Sequence, residues 1–308
     1  QNPVSEPTGF LGVEWNWTEL AATGKYVVAS VLEGTPASHP MMELKPGDVV
    51  MAVNGVNVGP GNPIAKSLNG TWGKKVRLKV MRDGKETEVV IRPVNPSTVT
   101  GTLYDNYVAW NRAFVDKISG GKLAYHHYES MDADSQEKFL AEVRTLTEGK
   151  KGLIIDVRFN GGGFTAHQAL GVLIKTPWLI RTRRDAPSLR LSENIYRGDT
   201  LELPSVLMTN QYSFSNAEIF SEGFRRLKIG PVVGERTAGG VIGTSAIGMW
   251  DGGSIRMPAS GAYTVDGENL ENNGRRADVD VRWDQNAWLE GRDVQLEAAV
   301  RELMKRIK

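Results

Sequence analysis

Short apolar runs separated by turn residues fill the first third of the chain. Turn signals stand at residues 45–48 (Lys-Pro-Gly-Asp), 54–55 (Asn-Gly) and 83–84 (Asp-Gly), and each favours a reversal between strands. One short helix fits residues 63–68. The strands are predicted at residues 11–17, 26–32, 48–53, 75–81 and 86–91. A small β-rich domain with one helix is therefore expected at residues 1–95.

Residues 93–101 are rich in Pro, Ser and Thr, and we interpret them as a linker. From residue 104 on, strand-like runs alternate with runs of helical spacing. The strands are predicted at residues 123–128, 153–157, 205–208 and 229–233, and the helices at residues 133–146, 165–174, 215–227 and 293–307. This alternation predicts an α/β domain at residues 96–308, with a parallel sheet and with sites at the carboxyl ends of its strands.

Composition narrows the class of protein without identifying it. The chain has 308 residues, 40% hydrophobic residues and a formal net charge of +1, which suits a globular protein of one or two domains and gives no reason to expect a nucleic-acid or membrane partner. No apolar run is long enough to span a membrane. The absence of cysteine excludes disulfides, a thiolate nucleophile and cysteine-bound zinc. The chain opens at Gln1 with neither an initiator methionine nor a signal peptide, so we expect a processed or excised piece of something longer.

Three consecutive glycines, Gly161 to Gly163, follow the predicted strand at residues 153–157. Without Cβ atoms they can adopt unusual backbone angles and bring N–H groups against a ligand or a developing negative charge. An anion or oxyanion site is therefore predicted here. The segment lacks the lysine and the glycine spacing of a nucleotide-phosphate loop, and the chain has no zinc-protease or dinucleotide fingerprint.

Ser215 is the candidate nucleophile. It follows a predicted strand and loop and opens a helix, so the helix N-terminus and the N–H of Asn216 would face the bond that its hydroxyl attacks. The alternative is structural, because residues 215–218 (Ser-Asn-Ala-Glu) are also a capping box. Asp278 and Asp280 alternate with valine in residues 277–281 (Ala-Asp-Val-Asp-Val). They suggest a metal site, although the alternation more simply marks a strand at the edge of a sheet.

Four motifs in order resemble the serine peptidase family of the carboxy-terminal-processing and tricorn proteases, and the match is to the tricorn branch. The motifs are residues 155–163 (Ile-Asp-Val-Arg-Phe-Asn-Gly-Gly-Gly), 210–220 (Asn-Gln-Tyr-Ser-Phe-Ser-Asn-Ala-Glu-Ile-Phe), 233–240 (Val-Gly-Glu-Arg-Thr-Ala-Gly-Gly) and 271–274 (Glu-Asn-Asn-Gly). The resemblance covers nearly the whole chain. It implies an α/β fold in which a PDZ-like β-rich domain precedes an α/β sandwich peptidase domain of the S41 type, similar to ClpP and crotonase.

The first 95 residues look like a PDZ domain. The resemblance implies that the loop of Gly9, Phe10, Leu11, Gly12 and Val13 binds a peptide carboxylate and that the neighbouring sheet edge accepts the peptide as an added strand. The alternative is a structural module that binds nothing.

The resemblance also implies roles in the second domain. Ser215 takes the place of the nucleophile, the N–H groups of Gly163 and Asn216 form the oxyanion hole with Gly162 close by, and Glu271 orients the base. The carboxy-terminal-processing branch has a lysine base where this chain has Gly240. In the tricorn branch the base is a histidine from a subdomain upstream of the PDZ domain, so the isolated chain is expected to be inactive or nearly so.

Other residues carry weaker implications. His126 and His127 match a tricorn strand with a non-catalytic histidine and are expected to be structural or substrate-lining, although they are also the first substitute bases to consider. His167 is a weaker candidate, and His39, beside Pro40, is expected to be a loop residue. Asp185 lies near the acidic specificity residue of tricorn proteases, which selects basic side chains. The neighbouring Arg181, Arg183 and Arg184 would alternatively neutralise it.

The predicted function is hydrolysis of peptides or unfolded proteins by a tricorn-like serine endopeptidase. The alternative is an inactive peptide-binding module made of a PDZ domain and a retired peptidase domain; an ester hydrolase on the same layout has no feature in its favour. No cofactor or metal is expected. The resemblance implies a homo-oligomer for the full-length protein. The compartment is left open between the cytoplasm and the bacterial periplasm or exterior.

Overall fold

A computed structural model of the chain describes residues 7–173, 179–183, 186–191, 201 and 203–307. For residues 179–183 and 186–191 it describes the backbone alone. Contacts divide the chain into two compact units, Gln1–Ala109 and Trp110–Lys308.

The amino-terminal unit is built on one antiparallel sheet. Its strands are β1 (Val13–Trp15), β2 (Tyr26–Val31), β3 (Val49–Val53), β4 (Val56–Asn57), β5 (Val76–Arg82) and β6 (Lys85–Ile91), and its helices are α1 (Trp17–Thr23), α2 (Ile64–Leu68) and a 3-10 turn at Pro36–Ser38. The strand order is β1-β2-β3-β5-β6, with β4 paired to β3. The predicted strands and the short helix are confirmed to within a few residues, so this unit is the expected small β-rich module.

Helix α1 was not predicted. Asn16 Oδ1 accepts from the Glu19 N–H at 2.9 Å and so caps the first turn, and Gly24 ends the helix at a φ of 72°. None of the helix residues is buried. Since no apolar stripe faces a core, hydrophobic periodicity carries no signal for this helix.

The predicted linker at residues 93–101 is wrong from residue 96 on. Helix α3 (Pro96–Ser119) begins there and runs for 24 residues. Asn95 precedes it, and Asn95 Oδ1 accepts from the Ser97 N–H at 3.1 Å. Proline in the first turn and Asn, Ser or Thr around it are as typical of a helix start as of a linker. The division between the two units falls within this helix, and the domain boundary between residues 95 and 96 stays a prediction.

The second unit is an α/β sandwich around a parallel sheet. Its further elements, in chain order, are β7 (Leu123–His127), α4 (Ala133–Thr147), β8 (Gly152–Asp156), α5 (Ala166–Leu173), β9 (Leu179–Arg183), β10 (Ala186–Leu191), β11 (Ser205–Thr209), α6 (Asn216–Arg226), β12 (Val232–Gly234), β13 (Gly243–Gly248), β14 (Ser254–Ser260), β15 (Val279–Asp280), α7 (Gln285–Leu289) and α8 (Val294–Met304). The sheet order is β15-β12-β11-β8-β7 and every pairing is parallel. Two antiparallel hairpins, β9 with β10 and β13 with β14, lie outside it.

Both faces of this sheet are covered. Leu153 and Ile155 of β8 pack in a core with Phe139 of α4 and Phe220 of α6. Ile154, between them in sequence, faces the opposite core, which α8 and the end of α3 cover. Burial on both faces explains the continuous apolar run of β8. The predicted α/β fold with a parallel sheet is therefore confirmed.

Of the helices described, none has both the length and the apolar character that a membrane crossing requires.

Candidate active site

Two loops meet at the carboxyl edge of the parallel sheet. One follows β8 and the other follows its neighbour β11, and Asp156 pairs with Met208 at the ends of these strands. Asn160, which is buried, ties them together. Its carbonyl oxygen accepts from the Phe214 N–H at 2.9 Å, and its Oδ1 accepts from the Gly162 N–H at 2.8 Å. The glycine loop and the segment before Ser215 are thus parts of one hydrogen-bonded structure, as the strand order predicts.

Ser215 lies at the turn where this loop becomes helix α6, and it is half-buried. Its backbone angles are φ 56° and ψ −118°, a conformation that costs a residue with a Cβ about 1–3 kcal/mol. A strained serine on a sharp strand-to-helix turn is the arrangement of a nucleophile elbow. The N-terminus of α6 also directs its positive end toward this serine.

Glu218 explains how the turn is stabilised. Its buried carboxylate accepts from the N–H of Ser215 at 3.1 Å, from the N–H groups of Gly239 and Gly240 at 2.6 and 2.8 Å and from the Thr237 hydroxyl at 2.6 Å. Ser215 and Glu218 form the predicted capping box, in which the Glu218 carboxylate accepts from the Ser215 N–H. The cap does not exclude a nucleophilic role for this serine, because a hydroxyl that accepts a hydrogen bond keeps its own proton and a second lone pair.

Gly162 packs directly on the start of α6. A Cβ on Gly162 would lie 2.6 Å from Ser215 Cβ and 2.9 Å from the backbone nitrogen of Asn216, and its φ is 93°. Only glycine allows both the approach and the angle. Because the Gly162 N–H already donates to Asn160, it is not a free donor. The role of Gly162 is to let the loop approach the start of α6 closely.

Gly163 and Asn216 carry the N–H groups that the family resemblance assigns to an oxyanion hole. Gly163 pairs with Met131 in a parallel bridge, and a Cβ on Gly163 would lie 2.1 Å from the Met131 carbonyl oxygen. Among the hydrogen bonds of the described residues, neither the Gly163 nor the Asn216 N–H has a partner. The Asn216 side chain is used elsewhere, since its Oδ1 accepts from the Ala166 N–H at 2.8 Å.

Glu271 lies on the loop that follows the β13–β14 hairpin. Its Oε2 accepts from the N–H groups of Val241 and Ile242 at 2.7 and 2.9 Å. Glu271 therefore fixes the residues directly after Gly240, whose own N–H is bound by Glu218. A Cβ on Gly240 would lie 2.4 Å from the Phe214 ring. A larger side chain at position 240 would therefore displace this ring.

His126 faces α4 rather than Ser215. Its ring packs against Phe139, with centroids 5.1 Å apart, and its Nδ1 lies 3.3 Å from Glu142 Oε2. Burial lowers the pKa of His126, and the contact with Glu142 only partly opposes this. Contact with the His126 ring, together with Arg112, lowers the pKa of Glu142 to about 2.

His127 faces the other side of the sheet from α6. It follows Tyr125 by two residues along β7 and so shares its face, which packs on α8. Its Nε2 lies 3.0 Å from the carbonyl oxygen of Arg158, and burial lowers its pKa. Both histidines thus have structural surroundings, as expected, and the described contacts connect neither of them to Ser215.

Acidification should destabilise the chain through these two histidines. Their pKa values lie below the usual 6.5 in the folded state, so the unfolded chain binds protons first, and each group removes up to about 1.4 kcal/mol per pH unit below about pH 6.5. Between pH 7 and pH 5, the free energy of unfolding measured in urea should fall by about 1–2 kcal/mol less in His126→Phe than in the parent. The exposed His167 of α5 provides the control, His167→Gln. Equal acid losses in the parent and in His126→Phe would contradict the assignment.

A buried ion cluster supports the loop that begins at Arg158. The guanidinium, 0% exposed, donates to Asp156 at 2.7 Å, to Asp293 at 2.8 Å and to Gln295 at 3.0 Å. Burial alone would raise the pKa of the Asp156 carboxyl, but the charge of Arg158 outweighs it and the pKa is lowered. Asp293 also caps α8 through the Leu296 N–H at 2.9 Å. The cluster joins the end of β8 to the start of α8.

The remaining predicted residues lie elsewhere. Asp185 falls outside the described residues. Asp278 Oδ2 accepts from the Val232 N–H at 2.8 Å, and Asp280 belongs to β15, so the strand-edge interpretation is confirmed. In the part of the chain that the structure describes, no group of three His, Asp or Glu side chains is placed to bind a metal.

The PDZ-like loop belongs to the first unit and leads directly into β1, an edge strand. The N–H of Gly9 donates to the Leu68 carbonyl and that of Phe10 to the Val94 carbonyl, both at 2.8 Å. Gly12 has a φ of 91°, and a Cβ there would overlap the Thr35 side chain. The loop is therefore a fixed, glycine-dependent turn.

Comparisons with known proteins agree with this architecture. The sequence model of Peptidase family S41 matches residues 122–281, just over half of the chain, and that of the Tricorn protease PDZ domain matches residues 9–96. Tricorn protease of Thermoplasma volcanium is 28% identical over 91% of this chain and 27% of its own length. Tricorn protease homolog 1 of Streptomyces coelicolor is 33% identical over 86% of this chain and 25% of its own length.

A solved structure extends the likeness to the fold. The crystal structure of the tricorn protease superposes with a TM-score of 0.72 and 25% identity, covering 97% of this chain and 29% of that one. The chain spans about a quarter of the length of the two curated relatives. The chain therefore belongs to peptidase family S41, and within this family it is similar to the tricorn proteases.

Proposed function

We propose that the chain is the part of a tricorn-like serine endopeptidase that carries the nucleophile, and that it cleaves peptides through an acyl-enzyme on Ser215. One observation carries the proposal above the others. Ser215 is strained at the N-terminus of α6, beside Gly162, while the N–H groups of Gly163 and Asn216 have no partner among the described residues. These features support a nucleophile next to backbone donors that could stabilise an oxyanion.

The reaction would proceed in two halves. The Ser215 oxygen attacks the peptide carbonyl as its proton passes to a base, and the carbonyl oxygen gains a negative charge that the two N–H groups stabilise. The base then protonates the departing amine as the C–N bond breaks, leaving an ester on Ser215. Water, deprotonated by the same base, hydrolyses this ester. Loss of one oxyanion donor typically costs about 10²–10³ in rate.

The base in this proposal is a histidine supplied from outside this chain. The surroundings of His126 and His127 support this, because both are buried and have other contacts, His126 with Phe139 and Glu142 and His127 with the Arg158 carbonyl. Glu271 would orient that histidine. Its Oε2 is used by two backbone N–H groups, whereas Oε1 has no partner among the described residues, which suits a hydrogen bond to an imidazole.

Substrates in this proposal are peptides or unfolded protein segments, and the full-length protein is a homo-oligomer, as the resemblance implies. The PDZ-like loop would bind peptide ends. With the Gly9 and Phe10 N–H groups already bonded, the donors for a carboxylate would be Leu11 and Gly12, next to the open edge of β1.

A fluorophosphonate probe tests the nucleophile. In the labelling step the Ser215 oxygen bonds to phosphorus, fluoride leaves and the hydroxyl proton passes to the base. We expect labelling of the full-length gene product, loss of labelling in its Ser215→Ala variant and little labelling of the 308-residue chain alone. Ser245→Ala, an exposed serine of β13, is the matched control and should label like the parent.

Two outcomes would change the proposal. Normal labelling of the isolated chain would promote His126 or His127 to the base. An unlabelled full-length protein with intact folding would overturn the peptidase proposal and favour a peptide-binding module, in which Ser215 serves the helix cap alone.

A further inference from the structure

Aromatic side chains on the two active-site loops are turned to solvent. Phe159 and Phe164 flank the glycine loop, and Tyr212 and Phe214 precede Ser215; their exposures are 52%, 63%, 59% and 46%. Single exposed apolar residues are ordinary, whereas several around one candidate site point to a ligand. The fold thus leaves about half of each of these rings in contact with solvent.

Phe159 and Tyr212 form a defined pair among these rings. Their centroids are 5.7 Å apart and their planes differ by 18°. The N–H groups of both residues donate to the same acceptor, Asn210 Oδ1, each at 3.1 Å. Asn210 is buried. One buried amide therefore fixes the backbone of both rings, so the stack is preorganised rather than a chance contact.

The backbone of Phe159 is strained. Its φ is 64°, which is uncommon for any residue other than glycine and is unexpected for one with a large ring. Such angles persist where the surroundings determine them, and they cluster at functional sites. This backbone angle directs the Phe159 ring outward at the carboxyl end of β8. The next residue, Asn160, accepts from the Gly162 N–H.

The pair is also close to the reacting position. Asn160 follows Phe159 and accepts from the N–H of Phe214, the residue directly before Ser215. Tyr212 lies three residues before Ser215, and an extended chain covers only about 3.3–3.6 Å per residue. A peptide whose carbonyl oxygen lies at the Gly163 and Asn216 N–H groups would therefore place a neighbouring side chain within reach of the stack.

We propose that Phe159 and Tyr212 form the subsite for a large apolar side chain of the peptide next to the bond cleaved at Ser215. This inference rests on the proposed peptidase function. Stacked rings bind aliphatic and aromatic groups through apolar contact. Two carboxylates of the described active-site loops have other partners in this proposal. Glu218 binds four donors, and Glu271 binds two backbone N–H groups through Oε2 and would bind the incoming histidine through Oε1.

Binding of labelled peptides to the full-length Ser215→Ala protein tests this subsite without turnover. The peptides have one length and differ at a single residue, which is Phe, Leu, Ala, Lys or Asp. By fluorescence anisotropy, the Phe and Leu peptides should bind at least about tenfold more tightly than the others. Adding Phe159→Ala or Tyr212→Ala should reduce this preference to less than about threefold.

The controls separate the subsite from folding and from the peptidase proposal. Trp17→Ala removes a ring of similar exposure, 68%, in the first unit and should leave the preference unchanged. If Phe159→Ala fails to fold, the test rests on Tyr212→Ala, because Tyr212 has no strained backbone angle. Equal binding of the Phe and Lys peptides, or a preference that survives both ring removals, overturns the subsite even where fluorophosphonate labels Ser215. If the protein binds the Phe and Leu peptides preferentially but fluorophosphonate does not label Ser215, the subsite proposal stands and the peptidase proposal is overturned.

Discussion

Gly162→Ala should reduce fluorophosphonate labelling of Ser215 by at least about 100-fold. The new methyl group would lie 2.6 Å from Ser215 Cβ, 2.8 Å from the Phe214 carbonyl oxygen and 2.9 Å from the Asn216 nitrogen. None of these atoms is the end of a flexible side chain, so relief requires movement of the backbone at the start of α6. That movement displaces both the nucleophile and one proposed oxyanion donor.

The same substitution should lower the free energy of unfolding by about 2–4 kcal/mol, because the φ of Gly162 disfavours a Cβ and the site has no room for it. Gly161 supplies a matched control one residue away. Its Cβ would meet nothing within 4 Å, so Gly161→Ala should label and unfold like the parent. Urea unfolding of the chain and probe labelling of the full-length protein measure the two effects. A Gly162→Ala protein that labels at the parent rate would exclude the proposed contact between the glycine loop and α6.

The parallel sheet was predictable because its signal is local. Strand β8 (Gly152–Asp156) is buried on both faces, so its residues Leu153 to Ile155 form one continuous apolar run that follows Gly152 and ends at Asp156. The capping box at residues 215–218 and the amphipathic stripe of α6 are local as well. Each of these features needs only neighbouring residues, which is why a single sequence contains it.

Other elements gave a misleading signal or none. Pro96 and the Ser and Thr residues after it suit both a linker and a helix start, and only the packing of the rest of α3, with Val115 in the core, decides between them. Helix α1 buries nothing and depends on its caps at Asn16 and Gly24. Short polar helices of this kind lie outside what hydrophobic periodicity can detect.

The residues proposed to react have local sequence motifs, whereas the residues that support them in the structure do not. Ser215 and the glycine loop have local motifs, whereas Glu218 binds Gly239 and Gly240, more than twenty residues away. Asn160 and Asn210 gave a weak signal as polar residues at the ends of apolar strands, but which N–H groups they bind depends on the sheet order. The strained φ of Phe159 has no sequence signal, because that angle favours glycine.

Arg158→Met should lower the free energy of unfolding by about 3–5 kcal/mol, because it removes the cation from a buried cluster and leaves two carboxylates without it. Asp156 and Asp293 both accept from Arg158 and are buried. In the parent, the charge of Arg158 lowers the pKa of Asp156 against the effect of burial; in the variant, burial would raise that pKa. The variant should therefore lose less of its remaining stability than the parent when the pH falls through the acid range.

Arg292→Ala is the matched control, since Arg292 forms an ion pair with Glu297 at 2.9 Å in which its own side chain is 52% exposed. Such an exposed pair contributes little to stability, because solvent screens it. Urea unfolding of the two variants and of the parent at pH 7 and pH 4 measures both the loss and its pH dependence. Equal stability of Arg158→Met and Arg292→Ala would show that the cluster adds no more than a surface pair. The expected difference would instead show that the cluster stabilises the fold at the point where the loop from Phe159 to Gly163 begins, since the two carboxylates and Gln295 connect Arg158 to α8. In the proposed peptidase, the oxyanion donor Gly163 would then lie on a loop anchored by side chains that touch no substrate.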